Sequence, residues 1–343
     1  MTEPSTAGVR LLMPVKVVVV CLKDDYNQPA RGLSLEYYNL YLAMKNVASE
    51  VILFDFGTLY RERGQDEMNR ALVELLERER PDITLVALFS DELTPAAIQK
   101  ARQYTKTVAY FWDDIWRLDY VAKWAPNFDY FTTPIWGMYR RYQAAGLTGA
   151  VYSPFGYNSS LSRGTDAPMR HDVSFVGGSH PWRVFVVDRL RKAGFDVTVR
   201  GPFWPGGRLS PEEMGDLFQT SKINLNLSNA RQWDARYLLS SWRAVRNTLR
   251  TPKVRDGVKV RHFEIPGAGG FQLSYYAEGL ERYFEIGDEI AIYLDLDELV
   301  EKVEYYLTHE AERERIARAG HARSLGYTME ARLSDLLSEV LRR

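Results

Sequence analysis

Lys259, Arg261 and Glu264 open the stretch KVRHFEIPGAGGF, which ends at Phe271. Two cations beside a carboxylate are suited to a ligand that carries both phosphate and hydroxyl groups. Three glycines follow (Gly267, Gly269 and Gly270), and then a strand-like FQLSY. The pattern reads as a basic loop, a helix start, a tight turn and a strand. A helix start presents unpaired N–H groups and a partial positive charge, which suits a diphosphate. A carboxylate there can accept a hydrogen bond from each of two vicinal hydroxyls, as on a ribose. The same residues also fit a surface glutamate beside a Gly-rich turn, and such a turn alone carries little information.

A second candidate is VSFVGGSHPWR, residues 173–183. Gly177 and Gly178 fall between a strand end and a helix start, where missing side chains let the backbone approach a donor phosphate or sugar. Arg183 lies just beyond. The spacing is not G-x-G-x-x-G and no acid follows at the usual distance, which argues against a nicotinamide dinucleotide. A plain strand-to-helix turn fits equally. In INLNLS (223–228), Asn224 and Asn226 alternate with leucine and so share one sheet face.

The first half of the chain offers acids at strand ends: Asp24-Asp25, Asp91-Glu92 and Asp113-Asp114. All five histidines lie after residue 170. A general base on that side would therefore be a carboxylate. TVAYFWDD ends a strand with two acids, making Asp113 and Asp114 the preferred catalytic candidates, although an acid after a strand also caps the next helix. Neighbouring like charge beside Trp112 and Trp116 is expected to raise one of the two pKa values.

These segments together resemble a known family. K-x-R-x-F-E-I-P-x-x-G-G-F looks like the signature of the CgeB-like (spore maturation) glycosyltransferases, relatives of the group 1 glycosyltransferases. VSFVGGSHPWR, INLNLS and FWDD resemble further segments of that family, as do YYLTHEAERERIA and GYTMEAR near the end of the chain. The resemblance covers Asp172 to the C-terminus well and is thin before residue 105. It implies an α/β GT-B fold, two Rossmann-like doubly wound domains facing a central cleft. It also implies transfer of a sugar from a nucleotide-diphosphate donor, a UDP-sugar, with no cofactor and no metal. Glu264 would hold the donor ribose as the second glutamate of an E-x7-E element, whose first position is Asp256 here. Lys259 and Arg261 would neutralise the leaving diphosphate, with Gly177, Gly178, Arg183, Gly269 and Gly270 beside them. The acceptor, the donor sugar and the stereochemistry are open. A sugar-nucleotide epimerase, or a non-catalytic nucleotide- or nucleic-acid-binding protein, are the alternatives.

The elements that must position these residues follow from hydrophobic pattern. At 343 residues the chain suits two domains of about 150 residues each. Strand-like runs at 15–22, 51–56, 83–89, 107–112, 129–133 and 150–153 alternate with helix-like stretches, as in a doubly wound domain over residues 1–155. Residues 156–172, rich in Pro, Gly and Ser, read as a linker, and the alternation restarts over 173–328. A last helix, 329–343, is expected to pack back on the first domain. The first ten or so residues are polar and expected to fray.

Composition excludes several classes. A formal net charge of −1 gives no global attraction to nucleic acid or membrane. Cys21 is the only cysteine, which excludes a disulfide framework and a Cys-rich zinc site. VKVVVVCL is too short for a membrane span, and a cytoplasmic location is expected. Locally the picture differs. Nine Lys or Arg lie between Arg231 and Arg261, opposed only by Asp234 and Asp256 and interleaved with Trp233, Tyr237 and Trp242. Such a run is a candidate nucleic-acid surface, but a solvated helix face is commoner.

Overall fold

The computed structural model describes residues 12–161 and 168–343. Residues 1–11, where fraying is expected, and residues 162–167 of the expected linker lie outside the described residues.

The first sheet is built from β1 (Met13–Cys21), β2 (Ala48–Asp55), β3 (Ile83–Val86), β4 (Lys106–Ala109), β5 (Tyr130–Thr133) and β6 (Ala150–Tyr152). All pairs are parallel, in the order β2-β1-β3-β4-β5-β6. The helices between them are α1 (Phe56–Glu79), α2 (Pro95–Ala101), α3 (Leu118–Trp124) and α4 (Trp136–Ala144). The valines of β1 explain its central position. Val18 and Val20 feed one core with α1 and α3, while Val15, Val17, Val19 and Cys21 feed another on the opposite face. A strand buried on both faces has no polar side to give to water, and only a covered parallel sheet accepts it.

Helix α1 starts at Phe56, where Asp55 caps it by accepting from Thr58. At Gly64 the backbone turns to φ +80° and interrupts the helix, so the regular amphipathic period begins only beyond it. Between β1 and β2 runs a short helix with a π-wound segment at Tyr37–Leu42.

The second sheet contains β7 (His171–Val176), β8 (Val197–Arg200), β9 (Ser221–Asn226), β10 (Gln272–Tyr275) and β11 (Ala291–Tyr293), again parallel, in the order β11-β10-β9-β7-β8. Its helices are α5 (Pro181–Lys192), α6 (Pro211–Gln219), α7 (Ala235–Ser240), α8 (Trp242–Arg250), α9 (Arg261–Gly267), α10 (Leu296–Thr308) and α11 (Glu310–Ser324). The last helix, α12 (Met329–Arg342), returns to the first domain. Met329, Leu333, Leu336, Leu337 and Val340 join the core against β1. The chain therefore crosses twice between domains, and the crossings run side by side. Tyr157 N–H donates to Tyr327, and Met329 N–H donates to Tyr157.

Candidate active site

The two sheets place their carboxyl strand ends toward each other. Between them lies a cavity of about 680 Å³. Ligands of open α/β sheets bind at such strand ends, where the strand order reverses. In the second domain the reversal falls between β7 and β9.

Here the chain leaves β7 through Gly177. A Cβ on Gly177 would stand 2.7 Å from the Phe175 ring, so only glycine fits the turn. Arg183, one turn into α5, reaches back into the gap. Its guanidinium donates to the carbonyls of Leu227 (2.9 Å), Ser228 (3.3 Å) and Gly178 (3.0 Å) and lies over Phe175. Arg183 thus ties the β9 end to the glycine turn while still lining the cavity.

From the other side comes α9. Lys259, Arg261 and Glu264 all line the cavity. Glu264 is buried and accepts from Arg261 at 2.8 Å. Arg261 also stacks over Phe218. The Lys259 ammonium donates to Asn229 at 2.7 Å. Burial, with Lys253 and Arg183 nearby, holds Lys259 below the usual lysine range. An entering anion would relieve that cost.

Asp256, in the position of the first E-x7-E acid, is absent from the cavity wall. It lies beneath, 3.1 Å from Lys253 and 3.7 Å from Lys259, and accepts from Ser228. This shorter acid sets the lysines rather than meeting the cavity. Gly269 and Gly270 are also outside the wall. Gly269 ends α9 at φ +90°, and a Cβ on Gly270 would stand 2.6 Å from the Phe218 carbonyl, so both serve the turn into β10. Gly178 adjoins the site through the carbonyl bonded to Arg183.

The first domain contributes Arg31, Gly32, Leu33, Leu35, Tyr38, Trp112 and Asp113. The paired acids separate here. Asp113 is exposed and faces the cavity, whereas Asp114 is fully buried, accepts from Tyr142 at 3.1 Å and touches no cavity. Its pKa rises to about 6, chiefly through burial and only last through Asp113. The expected perturbation is present, with desolvation in place of like charge as its main cause. The other acids are paired: Asp24 with Arg61, Asp25 with Arg31 and, across the cleft, with Arg208, and Asp91 with Lys123.

Two cavity residues gain importance from the structure. Trp112 and Asn226 line the wall, and the indole N–H and the Asn226 amide nitrogen are buried without a partner among the described residues. Buried donors in folded proteins are nearly always paired, which makes these two candidates for contact with a ligand. For Asn226 the INLNLS alternation marked the face; for Trp112 no residue type or spacing did.

Two matched parallel sheets around a polar cleft, closed by a helix that returns to the first domain, decide the architecture. The fold is GT-B. Residues 183–338 match the family described as glycosyl transferase-like, a span from α5 through most of α12. Among solved structures, HepE of Anabaena in complex with UDP-glucose superposes with a TM-score of 0.64 at 12% identity, over 96% of this chain and 99% of that one. The pneumococcal O-GlcNAc transferase GtfA, in complex with UDP and GlcNAc, superposes at 0.55 with 12% identity over 81% of this chain. The GtfA/B complex does so at 0.52 with 10% identity over 80%. The chain spans about three fifths of those last two, 60% and 61% of their lengths. No curated protein matches the sequence. Among the described residues, no helix is long and apolar enough to cross a membrane.

Proposed function

We propose that the protein is a glycosyltransferase that moves a sugar from a nucleotide-diphosphate donor, a UDP-sugar, to an acceptor entering from the first domain. One observation carries this reading. Glu264, Lys259, Arg261, Gly177 and Arg183 of the second domain and Asp113 of the first line one cavity. The family match over residues 183–338 and the UDP-sugar bound to the Anabaena relative support it.

Glu264 takes the ribose hydroxyls. Lys259 and Arg261 carry the diphosphate, Lys as a point charge and Arg through its planar fork. The bond between the anomeric carbon and the β-phosphate oxygen breaks, and the diphosphate leaves with both electrons toward these cations. The acceptor oxygen bonds to the anomeric carbon, and its proton passes to Asp113. The Trp112 and Asn226 donors offer hydrogen bonds to sugar or phosphate oxygens.

The test is turnover of a nucleotide-sugar panel, read as released nucleotide. Release that depends on an added acceptor is the expected result. An isomerised donor would make the protein an epimerase, and binding without turnover would leave a binding module. Replacing Glu264 by Ala should weaken nucleotide binding by about 1.5–3 kcal/mol, the size of a lost charged hydrogen bond. Unchanged calorimetric affinity in the folded variant removes Glu264 from the ribose.

A further inference from the structure

We propose that the face formed by α7, α8 and the loop after them docks on the surface of an anionic lipid bilayer. The argument starts from side chains that burial should have removed from water. Leu239 is 87% exposed, Trp242 79%, and Trp233 and Leu249 64% each. All lie between residues 233 and 249, a part of the basic stretch that does not line the cleft. On α8, Trp242 and Leu249 are two turns apart and form one stripe. Arg243, Arg246 and Arg250 form the adjacent stripe, while Ala244 and Thr248 are buried on the opposite side.

The charge on this face is uncompensated. Arg243, Arg246, Arg250 and Arg255 have no ion pair among the described residues. The two acids of the stretch are engaged elsewhere, Asp234 with Arg236 and Asp256 with Lys253. A face with tryptophan and leucine beside arginine matches the boundary of a bilayer, with rings and aliphatic chains among acyl groups and guanidinium groups on anionic headgroups. Nucleic acid fits less well. It would take the arginines and stack on tryptophan, but it offers Leu239 and Leu249 no apolar burial.

The face also adjoins the reaction side of the cleft. Arg250, Thr251, Pro252 and Lys253 share a pocket of about 300 Å³ with Trp116 and Asp113. On the transfer reading proposed above, an acceptor carried in the membrane would reach Asp113 past Trp116. Vesicle binding itself does not depend on that reading.

The experiment is co-sedimentation of the full chain with vesicles of phosphatidylcholine alone and of phosphatidylcholine with phosphatidylglycerol. Binding is expected only to the anionic vesicles and should weaken as salt rises. The combined variant Leu239→Ser, Trp242→Ser, Leu249→Ser and the variant Arg243→Gln, Arg246→Gln should each lose about tenfold or more in vesicle affinity. Both should keep native nucleotide affinity, since none of these residues lines the cleft. Failure to sediment with anionic vesicles overturns the proposal, as does native-like vesicle binding by both variants. So does tight binding of single-stranded RNA or DNA without vesicle binding. Self-association that the apolar variant abolishes, again without vesicle binding, would assign the face to a second copy instead.

Discussion

The two domains share one topology and use it differently. In each, the second strand lies outside the first, the third on its inner side, and the rest follow in order. The strand order therefore reverses between β1 and β3 as it does between β7 and β9. In the second domain that crevice opens into the cavity through Gly177. In the first it is closed by the chain itself: the loop after β1 folds over through the Asp24–Leu33 bridge and pairs Asp25 with Arg31. The first domain meets the cavity with the outer side of that loop, through Arg31 to Leu33, Leu35 and Tyr38, and from the β4 end through Trp112 and Asp113. Equal topology does not give equal chemistry. The loop leaving the first strand decides whether a crevice stays open.

Replacing Asp113 by Asn should break this division of labour most severely. If the carboxylate accepts the acceptor proton, turnover at saturating donor falls on the order of 10²–10⁴ while donor affinity holds. Near-normal turnover would move the base elsewhere, with Asp24, Asp25, Asp91 and Glu92 the next acids to test.

Arg261→Ala sharpens the comparison from the donor side. A phosphate role predicts that turnover of the nucleotide sugar falls more than affinity for the bare nucleoside, by about tenfold to a hundredfold for a charged hydrogen bond. Equal losses for both ligands would mean that Arg261 acts only by holding Glu264, 2.8 Å away.

Asp114→Asn separates the adjacent acids. Burial raises Asp114 to about 6, while an aspartate in the unfolded chain titrates near 3.9. Between those values the folded state holds a proton that the unfolded chain releases. This group's contribution to stability is therefore full below about pH 4 and lost as pH rises to about 6. The Asn variant should be more stable than the native protein above pH 6, on the order of 1–3 kcal/mol, and converge with it near pH 4. Thermal melts across that range check it. A gap that does not change with pH would show that Asp114 carries no such proton.

The smallest effect belongs to the pair across the cleft mouth, Arg208 with Asp25. Partly exposed pairs are worth about 0.2–1 kcal/mol. Arg208→Ala should shift donor affinity by a few-fold at most, with a flatter salt dependence; a large loss would give Arg208 a direct ligand contact.

Periodicity made both sheets legible, because parallel strands buried on two faces read as unbroken apolar runs such as VKVVVVCL. The segment 259–271 was legible as loop, helix, turn and strand for a similar reason: its glycines and charges act locally. What stayed hidden was long-range. Asp113 and Asp114 are neighbours in the chain, and only the packing of Tyr142 against one of them separates their fates. Lys253 and Lys259 share Asn229 across turns that no spacing announces. The amphipathic stripe of α8 was visible as a basic run, but its exposed leucine and tryptophan emerge only once the buried side is known.

The return of α12 to the first sheet bears on how the protein is made. A ribosome emits β1 to β6 first, yet Leu333, Leu336, Leu337 and Val340, which share a core with Val17 and Val19, emerge only after the whole second sheet. The second domain is complete in the chain before the first can close its core. Until α12 emerges the nascent first domain thus shows an apolar sheet face to its surroundings, and the arrival of that helix is the event that lets it finish folding.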